Sequence, residues 1–283
     1  MLKQRIVTGL ILAISFLAAL FALPVIGFIS LVTVVLAYAA WEWSHLAGIT
    51  SFSGRGFYTL AVILVGGALA AYLGFEPNIL LTEPPRFLLL LACIWWTVAL
   101  LWVQSYPSSA ILWGRRWLCL LMGLCVLLPM WLAFAGLLSL AEGPKLVLAV
   151  VLLVALADIG GYFVGRAIGR TKLAPKVSPG KTWEGLLGGQ LAIVLVVATT
   201  GWMLEFEISR IGLWLGLAMA TGLASVLGDL VESMVKRHRG VKDSGTILPG
   251  HGGVLDRIDG LTAALPVFSL VLSLLYNRLL IIP

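Results

Sequence analysis

Charge is scarce in this chain: 19 lysines and arginines and 13 aspartates and glutamates make up 11% of 283 residues, with three histidines beside them. With 60% hydrophobic residues and a mean hydropathy of +1.05, so little charge excludes a soluble globular protein, whose interior could not hide that much apolar surface. Cysteine is rarer still. Cys93, Cys119 and Cys125 fall in apolar runs, without a CxxC pair or a histidine partner, which argues against a disulfide framework, a zinc site and a redox role. There is no long polar insertion and no internal repeat, so a single membrane domain is expected.

What is present is hydrocarbon in runs of bilayer length. About nine such runs, near residues 6–22, 25–41, 57–73, 87–104, 117–137, 146–165, 186–204, 211–231 and 261–280, are each long enough to cross as a helix. The fold class expected is therefore all-α, a polytopic integral membrane protein. The first run follows Lys3 and Arg5 in the manner of a signal peptide, but a second apolar run begins almost at once with no small-residue cleavage site between them, and the first is kept as a helix. Threading the chain with its N-terminus in the cytoplasm places Lys3, Arg5, Arg55, Arg115, Arg116, Arg166, Arg170, Lys172, Lys176, Lys181, Lys236, Arg237, Arg239, Lys242 and Arg257 inside. Only Arg86, Lys145, Arg210 and Arg278 then fall outside, together with Glu76, Glu83, Glu142, Glu205 and Glu207. The net charge of +6 follows from this topology and attraction to anionic headgroups, and no nucleic-acid partner is expected.

The two halves differ in character. Residues 1–145 carry almost no ionisable residues inside helices, and their tryptophans gather near helix ends, as a scaffold with interfacial aromatics would. Residues 146–283 hold polar groups within the apolar runs and two basic loops, and the chemistry is expected there. Asp158 stands well inside the sixth run, where an ionised carboxylate needs a partner, with Gly160, Gly161 and Gly165 around Tyr162 to let another backbone approach. A plain hydrogen bond to a neighbouring helix would also account for it. The loop SPGKTWEG from Ser178 to Gly185 contains Gly-Lys-Thr but is no P-loop, since Pro175 stands where a second glycine is needed. Ser178, Lys181 and Thr182 are expected at a helix N-terminus, where N–H groups favour an anion, or as a simple capped helix end.

The segment from Ser233 to Gly260 concentrates charge between two apolar runs. Lys236, Arg237, Arg239, Lys242 and Arg257 stand beside Asp243, Asp256 and Asp259, with His251-Gly252-Gly253 between them, and Asp229 shares a helical face with Ser233. Acids at 256 and 259 also suit a helix N-terminus on dipole grounds alone. Two helices nevertheless bring carboxylates to one loop amid five cations, a set that suits magnesium with substrate phosphates and the spread charge of a transferring phosphoryl group.

These residues resemble the signature of phosphatidate cytidylyltransferases, also called CDP-diacylglycerol synthases. Ser233, Lys236-Arg237, Lys242-Asp243, Leu248-Pro249, His251-Gly252-Gly253 and Asp256-Arg257-x-Asp259 fill every fixed place of it. The likeness extends to Asp158, Tyr162 and Gly165 and to Ser-Pro-x-Lys-Thr-x-Glu-Gly at 178–185, with Gly161 where alanine is frequent and Gly180 where lysine is frequent. The resemblance implies transfer of the cytidylyl group of CTP to phosphatidic acid, giving CDP-diacylglycerol and pyrophosphate. It also implies magnesium, with a second cation left open, a homodimer, and a bacterial-type inner membrane with the site facing the cytoplasm. Carried over, Asp229 and Asp256 are the expected metal ligands. Lys236, Arg237, Lys242, Asp243, His251, Arg257 and Asp259 are the expected catalytic residues, and Asp158, Ser178, Lys181, Thr182 and Ser233 the substrate-binding ones. His251 is read either as a proton donor to pyrophosphate or as a loop support. An ion-coupled transporter is the rival in another class, but it calls for broken helices in two related halves. A CDP-alcohol phosphotransferase is the nearer rival, and its spaced aspartates are not found.

Overall fold

The computed structural model describes residues 2–75, 85–250 and 252–279. Glu76, Glu83 and His251 lie outside the described residues. In chain order the elements are α1 (Leu2–Ala22), α2 (Val25–Leu46), α3 (Phe52–Tyr72), α4 (Arg86–Gln104), the short α5 (Ala110–Trp113), α6 (Arg116–Leu138) and α7 (Gly143–Ile168). A hairpin of β1 (Lys172–Ala174) and β2 (Ser178–Thr182) precedes α8 (Trp183–Met203), α9 (Ile208–Arg239) and α10 (Leu255–Leu279). Among the described residues, eight helices, α2, α3, α4 and α6 to α10, are long and apolar enough to cross a membrane, and α1 has a shorter apolar stretch from Val7 to Ala22. The protein is thus an all-α polytopic membrane protein.

The core sits on α6. From Val126 to Leu138 nearly every side chain of this helix is buried, as befits a helix that is apolar all round and surrounded by others. Outward faces are apolar as well, with Val34, Leu64, Leu187 and Leu195 exposed, which is a surface for lipid rather than water. Two polar side chains of the interior tie helices together: Trp43 Nε1 donates to the Cys119 carbonyl at 2.8 Å and Tyr58 Oη to the Leu120 carbonyl at 2.9 Å, joining α2 and α3 to α6.

Two helix pairs position the charged end. α7 and α8 meet along a seam of small residues: a Cβ added at Gly160 would lie 2.8 Å from the Gly188 carbonyl oxygen, one at Gly185 2.8 Å from that of Gly161, and one at Gly189 2.5 Å from that of Ala157. In hydrocarbon such close approach replaces the hydrophobic drive that holds soluble helices together. α9 and α10 meet at Gly228, whose missing Cβ makes room for the Asp259 carbonyl.

Two further segments shape the charged end. α9 runs past the apolar run through Lys236, Arg237, His238 and Arg239, as the helical spacing of Asp229, Ser233 and Lys236 or Arg237 predicts; four basic residues in the last turn complement the helix dipole, and Gly240, at φ 76°, then closes it. Residues 178–182, expected at a helix N-terminus, form the second strand of the hairpin, with Lys172 opposite Thr182 and Ala174 opposite Ser178. Buried Ala174 and Val177 anchor this hairpin, and Thr182 caps α8 by accepting from the Gly185 N–H at 3.1 Å.

Substituting Gly189→Val should lower the unfolding free energy in detergent by about 1–3 kcal/mol, since the added atoms meet backbone that cannot yield. Gly180→Ala, with nothing within 4 Å of an added Cβ, should leave it unchanged.

Candidate active site

Lysine and aspartate side chains from five elements converge on one cavity of about 640 Å³ at the hairpin end of the bundle. α7 contributes Asp158, Tyr162 and Arg166. The hairpin contributes Ser178, Lys181 and Thr182, and α9 contributes Asp229, Ser233, Lys236 and Arg237. The loop after α9 adds Lys242 and Asp243, and the first turns of α10 add Asp256, Arg257 and Asp259. Every site residue expected from sequence lines this cavity except His251, which is outside the described residues. Arg166 lines it too, its Nη1 donating to Tyr162 Oη at 3.0 Å.

The charges are ordered in two groups. In the first, Lys181 Nζ lies 2.6 Å from Asp229 Oδ2, while Ser233 Oγ donates to Asp229 Oδ1 at 3.1 Å. Burial disfavours the Lys181 ammonium, but contact with Asp229, reinforced by Asp158 and Asp259, outweighs it and holds the Lys181 pKa above the ordinary lysine value. Lys181 is therefore the counter-charge shared by three aspartates from three helices.

In the second group, Lys236 Nζ bridges Glu232 Oε2 at 2.7 Å and Asp256 Oδ1 at 2.6 Å. Asp256 Oδ2 accepts from the backbone N–H groups of Ser244 at 2.9 Å and Gly253 at 2.8 Å. Lys236, 7% exposed, is thus a buried strut between α9 and α10, whereas Lys242 and Arg257 reach the cavity from exposed positions. Arg237 ties the hairpin to the loop, donating to the carbonyls of Val177 at 3.2 Å and Val241 at 3.4 Å.

Two acids escaped the sequence reading. Glu232 stands four residues before Lys236, a helical spacing that is visible in the sequence. Glu42, in α2, is a carboxylate within an apolar run, the same signal that singled out Asp158.

The donor set suits a magnesium ion. Each oxygen of Asp229 accepts one hydrogen bond and keeps a lone pair, and Asp256 keeps one on Oδ1. Of the two, Asp229 is the more open, with 29% of its side chain exposed against 6% for Asp256. Among the described residues no group of three or more His, Cys, Asp or Glu side chains forms a ready-made metal cage. That fits an ion held by one or two carboxylates together with substrate phosphates.

A cavity with five aspartates and six lysines or arginines, opening at one end of a membrane bundle, is built for polyanions and cations together. The sequence pattern of the Cytidylyltransferase family matches residues 3–275, which is nearly the whole chain. The chain belongs to the cytidylyltransferase family. It is accordingly a nucleotidyl-transferring enzyme of the membrane. Among similar proteins, one from Pseudomonas aeruginosa named phosphatidate cytidylyltransferase is 45% identical over 277 residues, 96% of this chain and 97% of that protein. One of the same name from Haemophilus influenzae is 42% identical over 291 residues, 95% of this chain and 98% of its own length. A Staphylococcus aureus protein, also so named, is 43% identical over 132 residues, 47% of this cytidylyltransferase chain and 50% of its own.

Lys181→Met should cost about 2 kcal/mol of stability in detergent, because it leaves Asp229 without its cation partner. As the folded-state pKa of Lys181 is raised, the pair's contribution is fully present below the ordinary value of 10.5 and lost only above it. The wild-type advantage over Lys181→Met should not decline between about pH 7 and about pH 9, and a decline measured by denaturation across that range would contradict the assignment.

Proposed function

We propose that this protein transfers the cytidylyl group of CTP to phosphatidate, forming CDP-diacylglycerol and pyrophosphate, at the cytoplasmic face of a bacterial inner membrane. The observation that carries this reading is the single cavity in which exposed Lys242, Arg237 and Arg257 stand among Asp158, Asp229 and Asp259. The names of the Pseudomonas and Haemophilus relatives support the acceptor, and the excess of cations at this end of the bundle supports the orientation. The homodimer expected from the resemblance is carried in the same proposal.

A phosphate monoester carries about −1.5 to −2 charges at neutral pH, so the barrier lies in bringing two polyanions together rather than in removing a proton. Lys242 and Arg257 neutralise the phosphates and orient them, and Arg237 holds the hairpin against the loop so that the cavity keeps its shape. A lipid phosphate oxygen attacks the α-phosphorus of CTP in line. The bond from that phosphorus to the bridging oxygen breaks, and pyrophosphate leaves on the opposite side. Lys181 sets the charge of the Asp229 group, and Lys236 fixes Asp256 where the two helix ends meet. Asp229 and Asp256 are the residues that would hold magnesium, which when bound supplies charge neutralisation of the phosphates.

The test is the purified protein with labelled CTP, phosphatidate and magnesium. Pyrophosphate release that depends on the lipid is expected; release without lipid, or none with it, would overturn the reading. Asp229→Asn should lower kcat by about 100-fold or more. Chelation with EDTA should stop turnover and added magnesium restore it, and turnover indifferent to chelation would remove the metal from the account.

A further inference from the structure

Glu42 is the one acid of the N-terminal half that reaches the charged end of the bundle among the described residues. It sits near the end of α2 and is 2% exposed, and it is absent from the cavity lining. Its carboxylate accepts three hydrogen bonds from residues more than two hundred positions away: Ser244 Oγ at 3.0 Å and the Leu255 N–H at 2.8 Å on Oε2, and the Val254 N–H at 3.2 Å on Oε1. The first partner lies in the loop that follows α9, and the other two are N–H groups at the start of α10, which have no carbonyl partner within the helix. The loop is shaped to receive it. A Cβ at Gly253 would stand 2.6 Å from Glu42 Oε2, and one at Gly245 would collide with Oε1.

We propose that Glu42 is a positioning residue, which closes the 244–255 loop at both ends and thereby sets Lys242 and Asp243 at the cavity wall. The reasoning is geometric. Asp256 holds the same two ends from the α10 side through Ser244 and Gly253, so the loop is pinned between a carboxylate of each half of the chain. A carboxylate at a helix N-terminus is favoured by the exposed N–H groups and the dipole, and here that favourable place is filled by a residue from a different part of the fold. Glutamine would keep the shape of Glu42 but turn an amide N–H2 toward at least one of three donors, which leaves that donor unpaired. The loop would then open while the helices stay packed.

Amide hydrogen exchange of the full-length protein, read by mass spectrometry, tests this without reference to activity. In Glu42→Gln, exchange across residues 243–255 should quicken by about tenfold or more, with α6 and α8 unchanged. The activity arm rests on the cytidylyl-transfer reading. There, kcat/KM for CTP should fall by about tenfold while KM for phosphatidate stays within about twofold, a split that general loss of structure would not produce. Ser244→Ala, which removes one donor and keeps the carboxylate, should shift both readouts less and in the same direction, and should add nothing to Glu42→Gln. Unchanged loop exchange in both variants would overturn the proposal, as would faster exchange in every helix or equal shifts for the two substrates. Should Glu42→Gln fail to accumulate, Ser244→Ala alone decides by the same local exchange. A wild-type protein without lipid-dependent turnover would sink the transfer reading, and the exchange result would still stand or fall by itself.

Discussion

A charge at the edge of hydrocarbon must have a partner, and in this protein the ammonium of Lys236 is the point through which that requirement organises the site. It lies between Glu232 on its own helix and Asp256 on the next. From Asp256 the chain of bonds passes through the Ser244 and Gly253 amides, and from the Ser244 hydroxyl to Glu42 in α2. A continuous buried relay thus joins α9, the following loop, α10 and the N-terminal half. Breaking one member of such a relay leaves a largely buried charge without its partner, which favours one arrangement of this end of the bundle.

The relay also separates the cations by task. Lys236 is buried and serves structure, and Lys181 balances three aspartates. Lys242 and Arg257 are exposed at the cavity wall, where the proposed reaction uses them on substrate phosphates. The apolar scaffold enters through two close approaches without side chains, the α7–α8 seam at Gly160, Gly185 and Gly189 and the α9–α10 contact at Gly228. These bring Asp158, Lys181, Asp229 and Asp259 to one place although they come from four elements.

Much of this was legible in the sequence because polar residues stand out against hydrocarbon. Asp158, Lys181, Asp229 and, from the run between Ser233 and Asp259, Lys236, Arg237, Lys242, Asp243, Asp256 and Arg257 can be read as one site, and all of these line the cavity. The hairpin at 172–182 is not legible: its strands are three and five residues long, and the antiparallel pairing and the burial of Ala174 and Val177 that hold it leave no periodic pattern in so short a stretch. Glu42 stayed hidden because its partners are backbone amides and one serine far along the chain, and no local spacing reveals such a contact.

In the proposed reaction the residues at the cavity wall neutralise and orient polyanions, and pyrophosphate is displaced from the α-phosphorus of CTP in one in-line step. The most direct measurement is the stereochemical course with CTP made chiral by sulfur at that phosphorus. A single displacement predicts inversion of configuration in the CDP-diacylglycerol formed, and retention, the mark of two successive displacements through a cytidylyl-enzyme, would contradict it.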